Sequence, residues 1–264
     1  MTPAGGIENR LLAALPPPDF DLLAPDLEVV ALHQDEALSR AGDQIEHVYF
    51  PHSGAVSLMI SMANGKTVAT AAIGCEGGVG LLSVLGPSPS AITAVVHAAG
   101  MASRIHAARF HTAFTRSVAI RQSVQTHVRA LLIQLQHVAA CNALHPVEAR
   151  LARWLLHFRD RVDHDVLPLT QEALSEILGV RRTTVTLLMR NLRASGAIRS
   201  DRRGLIEIDR ARLAAAACEC HETMRLEVEQ VFTPSMTRVR ISEPLETLDQ
   251  TGETRERLRR GCVP

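Results

Sequence analysis

From about Leu27 to Ile105 apolar and polar positions alternate in short stretches punctuated by Gly, Pro and Asn, the spacing of half-buried strands. The clearest unit has Val56, Leu58, Ile60 and Met62 alternating with Ser57, Met59 and Ser61, then Asn64-Gly65 as a tight turn before Lys66 to Ile73 returns. Such units in series predict an antiparallel sandwich or roll. After Arg104 the period lengthens to that of a helix, first with Phe110 and Phe114, then in a run reaching about Asn142. Within that run Val124, Val128, Leu131, Leu135, Val138 and Asn142 follow one another at intervals of 4, 3, 4, 3 and 4 residues, the spacing of a two-helix seam. These six are the candidate dimer contacts, with Asn142 as a polar seam position that can set register. The alternative is a helix lying on its own domain.

A further helix is expected from Pro146, with Val147, Leu151, Trp154, Leu155 and Phe158 as its apolar face, and Pro168 closes the connection that follows. Thr170 is suited to cap the next helix, Leu174, Ile177 and Leu178 form its buried face, and Gly179 ends it. In the helix after that turn Val185, Leu188, Met189 and Leu192 point inward, which leaves Arg181, Arg182, Thr183, Thr186, Leu187 and Arg190 facing elsewhere. Gly196 ends this helix, and 197–200 with 205–208 make a two-strand wing around Asp201-Arg202-Arg203-Gly204. The order is that of a winged helix-turn-helix, whose second helix enters the major groove of double-stranded DNA. From Gly179 to Gly204 seven arginines stand against one acid, Asp201, and this local charge suits phosphate contacts. Arg181, Arg182, Thr183, Thr186, Arg190, Arg202 and Arg203 are the candidate DNA-binding residues. A last helix is expected from its cap Asp209 through Val231, and residues 233–264 are expected to be a mobile tail.

Composition narrows the setting without changing this outline. Net charge is zero over 264 residues, so any basic surface is local, and Lys66 is the only lysine, so arginines count by position. The five cysteines form an odd, scattered set, as expected in a reducing compartment. With neither a signal-peptide start nor an apolar run near 18 residues, a cytoplasmic protein without a membrane partner is expected. No nucleophile elbow, phosphate loop with its lysine or paired carboxylate site occurs, so an enzyme is not expected. Cys218-Glu219-Cys220-His221 contains metal-ligand types, but residues two apart on a helix project about 200° from each other, so no metal is expected while that helix is continuous. His47, His52, His97 and His106 could line the roll for haem or pH sensing, and are more simply partly buried histidines.

Residues 169–208, LTQEALSEILGVRRTTVTLLMRNLRASGAIRSDRRGLIEI, resemble the winged helix of the Crp/Fnr family of bacterial transcription regulators, and 49–86 resemble that family's cyclic-nucleotide-binding-like roll. The resemblance implies an α+β chain with an N-terminal antiparallel β-roll as sensor (20–115), a long dimerisation helix (116–143) and a C-terminal winged helix-turn-helix (146–232). It implies a homodimer that regulates transcription at a two-fold DNA site, with an effector in the roll and RNA polymerase as a partner if it activates. A sensor or scaffold acting through protein contacts is the alternative. Matched to the family's recognition helix, Arg182 keeps the first base-reading position, while Thr183 replaces a Glu and Leu187 an Arg. The phosphate-binding turn falls at Glu76, Gly77, Gly78 and Gly80, the candidate effector site. There Gly78 stands where the family has Glu, and Ser88-Pro89-Ser90-Ala91 lacks the phosphate-clamping Arg, so cyclic AMP is not expected. No cysteine precedes Cys75, so the family's iron-sulfur cofactor does not carry over and no cofactor is expected.

Overall fold

The structure is a computed structural model that describes residues 9–233 apart from Pro87, Asp163 and 201–203. Asn9 is fully buried and caps α1 (Arg10–Ala13), accepting from the Leu11 and Leu12 amides. Its side-chain NH2 donates to the carbonyls of Pro51 (2.9 Å) and Gly77 (2.8 Å), which ties the start of the described chain to a strand end and a turn of the roll. After α2 (Pro17–Phe20) come β1 (Glu28–Leu32), β2 (Ala37–Ser39), β3 (His47–Pro51), β4 (Ala55–Ser61), β5 (Thr67–Ile73), β6 (Thr93–Ala98) and β7 (Gly100–His106). They form two antiparallel sheets, β1-β7-β3 and β2-β6-β4-β5. The hairpin expected around Asn64-Gly65 is β4 and β5, with Ser61 opposite Thr67. Its alternation is only partly expressed as inside and outside, because Ala55 to Met59 are all buried. One face of β4 lines the roll, and the other lies under the C-terminal domain.

Two helices follow, α3 (Ala107–Arg116) and the 27-residue α4 (Val118–Leu144). Ser117 separates them: its hydroxyl oxygen accepts from the Ile120 amide and its O–H donates to Asp19. The six-residue seam expected on α4 divides between two faces. Val124, Leu131 and Val138 are buried within the chain, in line with Ile120, His127, Gln134 and Cys141, against the roll and the C-terminal domain. Val128 and Leu135 are half-buried and Asn142 is exposed, and these three share the adjacent outward row with Gln125, Leu132 and Ala139. Of the six candidate dimer contacts, Val124, Leu131 and Val138 are thus taken up by the chain itself. The seam's 3-4 line zigzags between two neighbouring heptad rows, one of them already occupied by the chain itself.

The C-terminal domain consists of α5 (Val147–Val162), β8 (Val166–Pro168), α6 (Gln171–Leu178), α7 (Arg182–Ala194), β9 (Ile198–Ser200), β10 (Leu205–Ile208), α8 (Arg210–Ala216) and α9 (Cys220–Phe232). The expected two-strand wing has a third member, giving the order β8-β10-β9. Pro168 is tolerated there because β8 is an edge strand. From Leu151 to Phe158 every residue of α5 is buried, and Trp154, Leu155 and Phe158 join Ala55, Met59, Ala69 and Ala72 of the roll in one core. The helix expected to run unbroken from Asp209 is two. Asp209 does cap the first through the Arg212 amide, but the chain leaves the helix at Ala217–Glu219 and α9 packs back along α4. The expected tail, 233–264, lies outside the described residues from Pro234 on.

Candidate nucleic-acid interface and effector cavity

The helix-turn-helix is built by local rules visible in the chain. The Thr170 hydroxyl accepts from the Ala173 amide at the start of α6, and Gly179 ends that helix at φ 67°, a left-handed conformation that glycine adopts without strain. Val185, Leu188, Met189 and Leu192 are buried, which fixes the rotation of α7 and turns Arg181, Arg182, Thr183, Thr186, Leu187 and Arg190 to solvent. Arg181 is the cap residue of α7 and its side chain makes no capping bond, so the first turn presents backbone N–H groups beside two guanidiniums, an arrangement suited to phosphate. Two residues of the first turn of α6 stand beside this surface. Gln171 accepts from the Thr186 hydroxyl at 2.7 Å, and Glu172 pairs loosely with Arg182 at 3.8 Å. Both pairs are exposed, so an incoming phosphate or base edge can replace them at little cost. Arg199 adds a further exposed cation on the wing strand β9. Arg202 and Arg203, expected at the wing tip, lie outside the described residues.

In the roll the four expected effector residues separate. Gly78 and Gly80 line a cavity of about 240 Å³ with Ile45, Leu58, Leu81, Ile92, His127 and Leu131. Glu76 is instead paired with Arg161 of α5 at 2.6 Å, with both side chains largely buried. Gly77 packs on the His127 ring, where a Cβ would come within 3.1 Å of Nδ1. A Cβ on Gly78 would stand 2.7 Å from Leu81 Cδ1 and 3.2 Å from the Tyr49 carbonyl oxygen, so an acidic side chain there would have to displace Leu81. Among the described residues the cavity lining includes no Asp, Glu, Lys or Arg. His127, its one titratable member, is held neutral because burial pushes its pKa down to about 4.

The histidines of the roll do not meet at one point. His47 and His106 face each other across β3 and β7 with ring centroids 5.4 Å apart, His52 bonds the Ser103 hydroxyl, and His97 bonds Ser57 at 2.8 Å and packs on Phe158. The cysteines do converge. Because the helix breaks at Ala217–Glu219, Cys218 and Cys220 both reach Cys141 and His145 at the end of α4, and one ligand atom of each of the four lies within 4.8 Å of the others. Cys218 and Cys220 therefore do not project apart as they would on the continuous helix expected there. In the sequence the signal for this group is Cys141-x3-His145, an i, i+4 pair on one helix face.

Comparison with known proteins agrees with this architecture. A family described as "Crp-like helix-turn-helix domain" matches residues 149–216, and one described as "Cyclic nucleotide-binding domain" matches 29–117, together more than half of the chain. No curated protein matches. Among solved structures, FixK2 from Bradyrhizobium japonicum is 17% identical with a TM-score of 0.61, over 73% of this chain and 98% of its own. A putative Crp/Fnr-family regulator from Eubacterium rectale is 15% identical with a TM-score of 0.62, over 79% and 95%. The c-di-GMP-responsive regulator CLP of Xanthomonas campestris is 15% identical with a TM-score of 0.60, over 72% and 98%. At these identities the likeness is one of fold. With the roll, the long helix and the winged helix-turn-helix in one order, and with both domains matched by family, the chain belongs to the Crp/Fnr family of transcription regulators.

Proposed function

We propose that this regulator works as a homodimer that reads a two-fold DNA site through the first turn of α7. The observation that carries the reading is the exposed basic turn, with Arg181, Arg182, Thr183, Thr186 and Arg190 all at the surface of a helix whose opposite face is locked in the core. Arg182 is suited to bidentate contact with a guanine edge, and Thr183 tolerates several bases. Leu187, 47% exposed, suits a thymine methyl, so the half-site differs from that read where the family has Arg. Dimerisation through the outward row of α4 (Val128, Leu132, Leu135, Ala139 and Asn142) would place two such helices on successive major grooves. The effector of the roll cavity, in this reading, is an uncharged and mainly apolar small molecule, because among the described residues no fixed charge faces the space. RNA polymerase is a partner if the regulator activates.

The test is selection of bound sequences from random duplex DNA, followed by titration of the selected site at several salt concentrations. A pseudo-palindrome and a steep fall of affinity with salt are expected. Arg182→Ala should cost about 1 to 3 kcal/mol and relax one base position per half-site, while Arg199→Ala should weaken all sequences alike. Binding indifferent to salt and to both substitutions would leave the winged helix without a DNA role.

A further inference from the structure

Four ligand atoms from two distant stretches of chain meet where the long helix joins the DNA-binding domain. Cys141 lies in the last turn of α4 and His145 ends that helix, so their spacing sets both side chains on one face. Cys218 and Cys220 arrive from the break between α8 and α9. The sulfurs of Cys141 and Cys218 are 3.5 Å apart, Cys220 Sγ is 3.5 Å from His145 Nδ1, and all four ligand atoms lie within 4.8 Å of one another. A tetrahedral ion with Zn–S near 2.3 Å and Zn–N near 2.0 Å sets its ligand atoms roughly 3.5 to 3.8 Å apart. The spread therefore brackets one ion. An iron-sulfur cluster, which divides its ligands among separate irons, needs a wider frame.

Two independent features around the group point the same way. His145 Nε2 is 3.2 Å from Glu219 Oε1, and a carboxylate there holds the proton on Nε2 and leaves the Nδ1 lone pair facing the sulfurs. Arg153 is the second. It is 0% exposed, none of its three guanidinium nitrogens has a hydrogen-bond partner among the described residues, and it stacks on Trp154 at 4.6 Å. Its positive charge lies within electrostatic reach of the Cys141 sulfur. Among the described residues no carboxylate pairs with this buried cation, which is a costly arrangement beside three neutral thiols. Three thiolates, a neutral imidazole and a divalent ion sum to one negative charge, which matches the guanidinium.

We propose that Cys141, His145, Cys218 and Cys220 form a structural zinc site that fastens the C-terminal helix to the end of α4. Binding replaces three S–H bonds with three metal–sulfur bonds and releases three protons, with no change of oxidation state. The site spans the Leu144–Val147 joint by way of His145, so it sets where α5, and with it the DNA-binding domain, leaves the long helix. Nothing in this assignment depends on the DNA reading.

The experiment uses the full chain purified without chelators from zinc-containing medium. About one zinc per chain is expected by elemental mass spectrometry, and protein reloaded with Co(II) should show the intense visible ligand-field bands and thiolate charge-transfer bands of a tetrahedral sulfur-rich site. Cys218→Ser and Cys220→Ser should each lower bound zinc to about a tenth or less, Glu219→Gln should weaken zinc affinity roughly tenfold, and Cys75→Ser should leave both unchanged. If a serine variant fails to fold, the cobalt spectrum of the unsubstituted chain decides the matter alone. A zinc-free chain without those cobalt bands overturns the proposal. So does a Cys141–Cys218 disulfide in its place, or a coloured protein that yields acid-labile sulfide.

Discussion

His97 and His127 show how a single buried side chain converts burial into a property of the whole protein. His97 is 2% exposed, and burial lowers its pKa to about 4, with Asp35 opposing weakly. His127 is likewise lowered to about 4 by burial, with Glu76 opposing. Both are neutral in the folded protein, whereas the unfolded chain takes up these protons below its ordinary value of 6.5. Between pH 6.5 and 4 the unfolded state thus binds more protons, so the stability these groups confer is complete above that window and is lost as pH falls through it. By about pH 5 the loss should be on the order of 2 kcal/mol per histidine. Urea unfolding at neutral pH and near pH 5 checks this: His97→Asn and His127→Gln should each flatten the dependence. An unchanged slope in both variants would mean that neither ring is held neutral by the fold.

At the level of elements, α4 separates two roles that its sequence superimposes. Leu131 is 6% exposed and packs in the roll, whereas its neighbour Leu132 is 50% exposed on the outward row. Leu132→Asp should therefore dissociate a dimer and leave the monomer folded, and Leu131→Asp should destabilise the fold itself by several kcal/mol. Sedimentation paired with thermal melting distinguishes the two. If Leu132→Asp remains dimeric at micromolar concentration, the partner is held by another face. The same helix shows why the seam was half legible. A 3-4 repeat specifies that a stripe is apolar, and two stripes one residue apart share that repeat. The break before α9 was not legible, because Leu213 to Ala217 is a leucine followed by four alanines, a run that favours continued helix. Packing of α9 on α4, including the 2.8 Å contact of His137 with Glu227, prevails over that local preference.

Across the molecule, the C-terminal domain is docked on the roll through a shared core and a largely buried ion pair, Glu76 with Arg161. The acidic residue of the glycine-rich turn is thus engaged by the DNA-binding domain, and the cavity beside the turn is lined by apolar side chains, serines and the neutral His127. A cyclic phosphate placed there would lose its hydration without gaining a cation. Calorimetric titration with cyclic AMP and cyclic GMP should accordingly show no binding in the micromolar range. Micromolar affinity for either would require a cation supplied by movement of the roll.

The caps Thr170 and Asp209, the left-handed Gly179 and the inward face of α7 were determined by the sequence alone, because each depends on residues within a turn or two of one another. The basic first turn of α7 was legible for the same reason: once four apolar positions fix a helix's rotation, its exposed face follows. Tertiary structure alone decided which α4 row faces the protein, that Glu76 meets Arg161, and that Cys141 and His145 meet Cys218 and Cys220 across more than seventy residues. Those contacts depend on where a helix ends and which domain covers which face. Both are set by the competition of whole surfaces for burial, and no local spacing encodes its outcome.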